Sequence, residues 1–291
     1  MSEPLIARTV TLTSDSLVAT VALQGAELVS LQKRSDLTEY IWTGEPKVWA
    51  RHAPVLFPVI GKFRDESYTF DGKHYTIPQH GFARDSHFEI YDVNDSSVTL
   101  VLKSDERTLR LYPLEFELRV RYVLEGDTLH ATYTAINTNE TVLPCALGAH
   151  PGFLLGNDEF EATTLHFSQP ENSVCKKIKN GLTTDMHFTS PVVQQYVELT
   201  ADMFLDDAFL LYKPASNEIR LESPSRTFTF SWGDTTTHLA LWSKPGAPFI
   251  CIEPWIGSPD SAGSPDEIFE KESLQHVEES VSLEWMLTIE S

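Results

Sequence analysis

Hydrophobic and polar residues alternate with a period of two along much of this chain. In the segment 116–124 every second residue, starting at Phe116, is apolar, and most of the residues between them are charged. Successive side chains of a β-strand point to opposite faces, so this pattern predicts a half-buried strand. The turn sequence Glu125-Gly126-Asp127 follows, and the alternation resumes over residues 128–136. Together the two segments predict a β-hairpin.

Shorter segments of the same character predict further strands at residues 97–102, 218–221, 227–232 and 238–242. Turn sequences separate such segments: Asp71-Gly72, Gly156-Asn157, Ser223-Pro224 and Lys244-Pro245-Gly246. Helical periodicity is scarce, and we expect single helical turns at 267–271 and 201–204. No internal repeat and no Ser/Gly linker divides the chain. We therefore predict an all-β fold, one large antiparallel β-sandwich domain over residues 1–291, with few short helices. In such a fold ligands bind on the concave face of a sheet or in its rim loops.

The charge balance limits the classes of partner. The 291 residues include 42 Asp and Glu but 22 Lys and Arg, which gives a formal net charge of −20. A surface this acidic repels nucleic acid and anionic lipid, and we expect neither among the partners. The sequence also contains no run of roughly 20 apolar residues of the kind that crosses a membrane.

Two features bear on the compartment. The first residues, Met1-Ser2-Glu3-Pro4-Leu5, contain no basic segment followed by an apolar one, so we expect no secretory signal. The three cysteines, Cys145, Cys175 and Cys251, form no Cys-x-x-Cys pair. An odd number of widely spaced cysteines predicts buried thiols in a reducing compartment rather than redox or metal chemistry. A cytoplasmic location is the resulting expectation.

Three segments interrupt the strand pattern and concentrate ionisable side chains among Gly, Pro and aromatic residues: 78–85, 147–153 and 251–255. The third continues the apolar run 248–252, which predicts a buried strand with Glu253 at or near its end. A carboxylate in such apolar surroundings loses hydration, which raises its pKa toward the range useful for a general base.

Each of these side chains also has a purely structural interpretation. His150, beside Pro151-Gly152, is of a type that often stabilises a loop by hydrogen bonding. Glu253 could be solvated or form an ion pair at the rim. His80 could brace a turn, with Arg84 paired to Asp85 or Glu89. The occurrence of all three segments in this order favours a functional site.

Three strings carry a family resemblance: Gln79-His80-Gly81-Phe82-Ala83-Arg84, Gly148-Ala149-His150-Pro151-Gly152-Phe153 and Ile252-Glu253-Pro254-Trp255. They resemble the aldose 1-epimerase (galactose mutarotase-like) superfamily, and the similarity extends over essentially the whole chain. Within it the sequence is most similar to bacterial lactose-operon-associated epimerase-like proteins. The resemblance implies a large antiparallel β-sandwich that binds a sugar on its concave face, in agreement with the strand pattern.

The resemblance also implies an activity, the interconversion of the α and β anomers of a hexose or hexose phosphate by general acid/base ring opening. Such a reaction needs no metal or organic cofactor, and the ten histidines show no metal-ligand spacing. Carried over by position, His150 matches the general acid, which would be protonated, and Glu253 the general base. His80 matches a histidine that holds the ring region of the sugar. Asp207 resembles the aspartate that binds a sugar hydroxyl, with Asp206 as an alternative.

The sequence departs from the family pattern at one position. Better-known mutarotases have an Asn-Arg pair whose arginine contacts the sugar, whereas this chain has Gly61-Lys62-Phe63-Arg64-Asp65. Lys62, Arg64 or Arg51 could replace that arginine. Arg84 matches an arginine that related hexose-6-phosphate mutarotases use to hold the phosphate. A guanidinium also suits a carboxylate or a sugar hydroxyl, so free and phosphorylated sugars both remain open.

Aromatic residues and two rival functions complete the analysis. Trp49 and Trp255 could supply apolar platforms for the C–H-rich face of a sugar ring. A non-catalytic carbohydrate-binding or sugar-sensing protein on the same fold is the first alternative, because a fold does not establish catalysis. The second is a hydrolase that uses Asp207 and Glu253 as paired carboxylates. The sequence leaves the identity of the aldose and the oligomeric state open.

Overall fold

A computed structural model describes residues 8–172 and 174–290. The residues on which the expectation about a secretory signal rests lie outside these ranges. Strands account for 49% of the chain and helices for 6%, which confirms the all-β prediction. Among the described residues no helix is long and apolar enough to cross a membrane. The division of the chain into one domain remains a prediction.

The strands of the described part are β1 (Thr9–Thr13), β2 (Leu17–Ala22), β3 (Leu28–Lys33), β4 (Val55–Leu56), β5 (Ser67–Phe70), β6 (Lys73–Thr76), β7 (Glu89–Val93), β8 (Ser97–Lys103), β9 (Phe116–Glu125), β10 (Thr128–Asn137), β11 (Leu143–Cys145), β12 (Leu147–Ala149), β13 (Gly152–Leu154), β14 (Thr164–Phe167), β15 (Val174–Lys179), β16 (Leu182–Thr189), β17 (Tyr196–Glu198), β18 (Phe209–Tyr212), β19 (Glu218–Glu222), β20 (Thr227–Trp232), β21 (His238–Trp242), β22 (Phe249–Ile256), β23 (Gln275–Val277) and β24 (Ser280–Ile289). The helical segments are α1 (Glu106–Leu111) and the 3₁₀ turns Arg64–Glu66, Ala83–Asp85, Phe160–Ala162 and Ile268–Glu270.

Two large antiparallel sheets form the body of the molecule. One has nine strands in the order β17-β14-β19-β20-β24-β10-β9-β8-β7, and the other has the order β16-β15-β18-β21-β22-β12-β4, with β13 as an eighth strand paired to β22. The predicted hairpin is confirmed: β9 and β10 pair in register across Glu125 and Thr128. The four shorter predicted strands are confirmed as β8, β19, β20 and β21.

The core lies between these two sheets. Phe153, on β13, packs against Phe228 and Phe230, on β20, with ring centroids 4.8 and 5.1 Å apart. In β9 the residues alternate between buried and less buried positions, as expected for a strand with one face on the core and one toward solvent. The large sheets therefore pack face to face as a β-sandwich.

Strand β22 differs from β9, because all eight of its residues are buried. Ile250 and Ile252 belong to the main core, while Phe249 and Cys251 pack with Trp42 on the opposite face of the sheet. Burial on both faces explains why its sequence reads as a continuous apolar run rather than an alternating one.

The sequence predicts Glu253 at or near the end of this strand, and three more strand residues follow it because β22 continues to Ile256. On one side β22 pairs with β13 up to Cys251 and with β12 from Trp255 onward. Pro254, which cannot donate a ladder hydrogen bond, falls in the gap between these two partners. The strand therefore passes through the proline, and Glu253 lies inside a buried strand.

Local predictions outside the sheets had mixed outcomes. The helical turn expected at 267–271 is confirmed as the 3₁₀ turn Ile268–Glu270, whereas residues 201–206 form hydrogen-bonded turns and no helix. Helix α1 was not predicted; Asp105 and Thr108 close its first turn with a reciprocal capping box. All three cysteines are free and buried, as expected, and the cytoplasmic location remains a prediction.

Candidate active site

A pocket of about 340 Å³ lies on the face of the eight-stranded sheet that points away from the nine-stranded sheet. Its ionisable lining residues are His80, Arg84, His150, Asp207 and Glu253, and its indoles are Trp49, Trp242 and Trp255. The three segments that interrupt the strand pattern therefore meet here, although they lie far apart in sequence.

The two central residues of the pocket are Glu253, on β22, and His150, in the break between β12 and β13. Cys251, Glu253 and Trp255 share one face of β22 because they are two residues apart. Gly148 pairs with Trp255 and Gly152 pairs with Cys251, so β12 and β13 run in the same direction and register along β22, interrupted at His150-Pro151. This register places His150 opposite Glu253.

His150 Nε2 lies 3.3 Å from Glu253 Oε2. The two residues are 9% and 1% exposed. His150 Nδ1 and Glu253 Oε2 are buried without a hydrogen-bond partner among the described residues. Buried polar atoms are normally paired, so this arrangement is typical of a site that acts on a ligand. The imidazole and the carboxylate are thus in contact at 3.3 Å without a hydrogen bond between Nε2 and Oε2, which leaves Oε2 available to a ligand.

Burial determines which of the two groups holds a proton. Burial, and next the charge of Asp207, raise the pKa of Glu253 well above its ordinary value. Burial, and with it the positive charge of Arg84, lower the pKa of His150 to about 3. The rise for Glu253 confirms the expectation from its apolar surroundings. The prediction that His150 is protonated is not supported by its lowered pKa. Near neutral pH the imidazole is neutral, because a buried charge is costly without a fully paired partner.

His80 approaches the pair from the loop between β6 and β7. Its backbone has φ +64°, which is uncommon for a residue with a side chain and often marks a functional position. Gly61 N donates a hydrogen bond of 3.1 Å to its Nδ1, so Nε2 carries the ring hydrogen. Burial, and next the charge of His150, lower the pKa of His80, so the ring is a neutral donor. It meets the His150 ring edge to face at 5.8 Å.

The structure distinguishes Asp207 from Asp206. Asp207 has φ +85°, lines the pocket and accepts a hydrogen bond of 2.9 Å from Ala208 N. Burial raises its pKa. The side chain of Asp206 is 82% exposed and lies 3.3 Å from Lys177, away from the pocket lining. Asp207 is therefore the aspartate that faces Glu253.

Of the predicted basic residues, Arg84 lines the pocket. Its guanidinium donates a hydrogen bond of 2.7 Å to Gln79 O, and Nε is 3.7 Å from Asp85 without forming a hydrogen bond. Arg51 lies beside it but does not line the pocket; it pairs with Asp85 at 2.6 Å and donates to Arg84 O at 3.2 Å. The prediction that Arg51 lines the sugar site is therefore not supported, because a rim carboxylate holds its guanidinium.

The other two cations are also directed elsewhere. Lys62 pairs with Glu66 at 2.6 Å and does not line the pocket, contrary to its predicted role. Arg64 pairs with Asp266. Each side chain follows a nearby acidic residue of its own surface loop. Among the described candidates, Arg84 is thus the cation that reaches the pocket.

Three indoles form apolar walls. Trp49 stacks on His150 with centroids 5.0 Å apart and planes at 29°, and Trp242 meets the same imidazole edge to face at 5.8 Å. Trp49 and Trp255 line the pocket as predicted. Sequence reasoning missed Trp242. The available indication was the period-two pattern of residues 238–242, which places Trp242 on the same face of its strand as His238.

One cluster of described residues has the composition of a metal site. The ligand atoms of His150, Cys251 and Glu253 lie within 4.8 Å of one another. Burial, and next the charge of Glu253, raise the pKa of the Cys251 thiol well above its ordinary value. A neutral thiol is a poor ligand, and Cys251 does not line the pocket. Cys251 is therefore a weak third ligand beside His150 and Glu253.

A larger groove of about 680 Å³ lies beside the pocket, over β15, β16, β18 and β21. Lys176, His187 and His238 line it, but it contains no buried acid and base in contact. Size alone would favour this groove; the chemistry favours the smaller pocket, because perturbed pKa values and unpaired buried groups converge there.

Comparison with known proteins agrees with this geometry. The family model described as aldose 1-epimerase matches residues 8–278. The chain belongs to the aldose 1-epimerase family. A Lactococcus lactis subsp. lactis protein, "Protein LacX, chromosomal", is 31% identical over 264 residues, which cover 86% of this chain and 88% of that protein.

Solved structures of this family share the fold. A galactose mutarotase related enzyme from Lactobacillus acidophilus superposes with a TM-score of 0.90 at 28% identity and covers 98% of both chains. A galactose mutarotase-like protein from Lactobacillus casei ATCC 334 gives a TM-score of 0.89 at 30% identity, over 97% of this chain and 100% of that one. The predicted galactose mutarotase-like sandwich is confirmed.

Proposed function

We propose that this member of the aldose 1-epimerase family is a mutarotase, an isomerase that interconverts the α and β anomers of a hexose or hexose phosphate. The contact of 3.3 Å between His150 Nε2 and Glu253 Oε2, in a pocket that contains further polar groups, carries the proposal. The pocket volume lies in the range typical of small-molecule sites. A sugar or sugar phosphate is the partner, and we propose no cofactor.

Ring opening of a cyclic aldose moves one proton off the C1 hydroxyl and places one proton on the ring oxygen. The raised pKa of Glu253 and the lowered pKa of His150 favour the titratable proton of the pair on Glu253, and a small movement of either side chain across the 3.3 Å contact lets it pass to His150 Nε2. Glu253 as carboxylate then accepts the C1 hydroxyl proton, and His150 donates to the ring oxygen. After rotation about C1–C2 the ring closes on the other carbonyl face, with both transfers reversed. Each group contributes typically 10²–10⁴-fold in such catalysis.

The other polar groups would hold the sugar. His80 presents a neutral N–H at Nε2, which suits an oxygen acceptor. Asp207 is an acceptor with no donor of its own when ionised, so a sugar hydroxyl is its natural partner. Trp49, Trp242 and Trp255 cover the apolar faces of the ring. These roles agree with those that the family resemblance implies for His80 and Asp207.

Arg84 is our candidate for a substituent at the far end of the sugar. Burial, and next the charge of Arg51, lower its pKa, so the site gains from an added anion. A 6-phosphate would provide one, in the bidentate geometry that guanidinium groups favour. Turnover of glucose and galactose should be compared with turnover of their 6-phosphates; a clear preference for the phosphates supports Arg84 as an anion contact.

Anomer exchange measured by NMR, with the spontaneous rate subtracted, tests the function. We expect the protein to accelerate exchange of at least one common aldose or aldose 6-phosphate. If calorimetry detects sugar binding but no sugar is exchanged faster, the protein is a carbohydrate-binding protein on this fold. Release of reducing sugar from glycosides would instead favour hydrolysis by Asp207 and Glu253.

A further inference from the structure

Trp255 contains an unpaired polar atom next to Glu253. The two residues are two positions apart on β22 and share its pocket face. The indole Nε1 of Trp255 is buried and has no hydrogen-bond partner among the described residues, and the same is true of Glu253 Oε2. A buried donor and a buried acceptor on one face of one strand are therefore both unpaired and complementary.

The surrounding backbone fixes the position of this indole. Thr237 donates two hydrogen bonds to Trp255 O, from its N at 2.8 Å and from Oγ1 at 3.2 Å. Gly148, the cross-strand partner, leaves space for the ring: a Cβ added there would lie 2.8 Å from Trp255 Cδ1, the atom bonded to Nε1. Thr237, just before β21, thus holds the backbone of Trp255, and Gly148 of β12 leaves the space that its ring occupies.

The groups that face Glu253 from the elements around it explain why one more donor matters. His150 lies in the break between β12 and β13, Asp207 lies before β18, and Cys251 lies on β22 itself. His80 and Arg84 come from the loop before β7. His150 and His80 are neutral, Asp207 repels the ionised carboxylate, and Cys251 is a weak donor. Beside these neighbours, the indole N–H of Trp255 is a hydrogen-bond donor that can stabilise a negative charge on Glu253.

We propose that the Trp255 indole N–H donates a hydrogen bond to Glu253 when that carboxyl is ionised, and so controls where the shared proton of the pair resides. Trp255 is then a positioning residue for the mutarotase reaction proposed above, on which this inference rests. Stabilising the carboxylate increases the population of the arrangement in which His150 carries the proton. The N–H also lowers the pKa of Glu253, in opposition to burial.

The test replaces Trp255 with Phe, which keeps an aromatic ring and removes the N–H. Loss of the donor raises the pKa of Glu253, so we expect the alkaline limb of the pH profile of kcat/KM to move upward by about one pH unit. At neutral pH kcat should fall roughly tenfold, since one pKa unit corresponds to a tenfold change in the population of the carboxylate. KM should change by less than about threefold, because Phe keeps an aromatic wall for the sugar and the lost N–H acts on Glu253.

Trp285→Phe is the matched control. Trp285 also has a buried, unpartnered Nε1, but it lies in the core against Tyr122 and Tyr133, with centroids 6.3 Å from each. The same substitution there should leave the pH profile unchanged. If Trp255→Phe does not fold, benzothienylalanine at position 255 removes the N–H while keeping the shape of the indole.

An infrared readout separates this inference from the proposed function. The difference spectrum between wild type and Glu253→Gln isolates the carboxyl band of Glu253, and its pH titration needs no turnover. We expect the midpoint to rise in Trp255→Phe and not in Trp285→Phe. An unchanged midpoint, or an equal shift in the control, would overturn the role of Trp255 even in an active enzyme. If wild type exchanges no anomers, the proposed function fails while the infrared result still decides on Trp255.

Discussion

Two buried pairs of one basic and one acidic side chain, both in the described part of the chain, are built differently. Lys271 Nζ and Asp260 Oδ2 lie 2.6 Å apart with both side chains fully buried. Asp260 also accepts hydrogen bonds from Ser273 Oγ at 2.7 Å and Arg64 N at 3.0 Å, and Lys271 donates to Pro265 O at 2.7 Å. Every charged atom of this pair has close partners, which is the arrangement a buried ion pair needs.

The pair of His150 and Glu253 lacks these partners. Its atoms are 3.3 Å apart, and both residues retain a buried polar atom without a hydrogen bond among the described residues. The complete pair joins the 61–66 loop to the 258–273 segment, whereas the incomplete pair faces a pocket. The contrast shows that hydrogen-bond completeness, rather than burial, distinguishes the pair in the interior from the pair that faces the pocket.

Glu253→Gln should give the largest effect on activity. The amide keeps the shape of the side chain but cannot accept a proton, so anomer exchange should fall roughly 10²–10⁴-fold while sugar affinity is nearly retained. NMR exchange and calorimetry on the same preparation measure the two quantities. Retained turnover would show that Glu253 is not the base.

Lys271→Met should give the largest effect on stability. It leaves Asp260 buried without its cation, and removing one partner of a buried pair costs about 3–5 kcal/mol of unfolding free energy. Urea denaturation at pH 4.5 measures this loss, with Glu253→Gln as the comparison, which at that pH should change stability by less than about 1 kcal/mol because Glu253 is still protonated there. A similar loss in both variants would remove the distinction between the pairs.

Asp207→Asn tests the charge next to the incomplete pair. Asp207 is our ligand for a sugar hydroxyl, so kcat/KM should fall about tenfold, an amount typical of one polar contact. Loss of its charge also lowers the pKa of Glu253, which acts in the opposite direction. Asp206→Asn is the matched control, since its exposed side chain pairs with Lys177. We expect the control to stay within about twofold of wild type; equal losses would contradict the assignment of Asp207.

The pH dependence of stability should show the smallest effect. The pKa of Glu253 is raised in the folded state, so the folded protein binds its proton more tightly, and this contribution is lost as pH rises above the unfolded value of 4.5. The stability of wild type relative to Glu253→Gln should therefore fall by up to about 1.4 kcal/mol per pH unit above that value. His150, lowered to about 3, acts in the opposite direction between pH 6.5 and 3. A stability difference that does not change with pH would show that Glu253 titrates normally.

Particular residues show how far sequence reasoning reaches in this protein. The alternation over residues 116–136 predicted β9 and β10 to within one residue, and the three interrupted segments supplied the histidines, Arg84 and Glu253 that line the pocket. The same reasoning placed Glu253 at or near a strand end and did not show that β22 continues through Pro254, because the gap between β12 and β13 that accommodates this proline has no local signature. It also predicted Lys62 and Arg51 as sugar contacts, since spacing alone could not identify their acidic partners, Glu66 and Asp85.

The sequence by itself predicted the hairpin, several further strands, the family and the residue types of the site, because alternation, turn chemistry and short motifs are local properties of neighbouring residues. The tertiary structure alone decided which aspartate faces Glu253, which cation reaches the pocket, and which member of the central pair holds the proton. Those outcomes depend on desolvation and on partners contributed by distant strands, and both exist only after the two sheets have packed. The identity of a side chain is local, whereas its protonation and its partners are set by the fold.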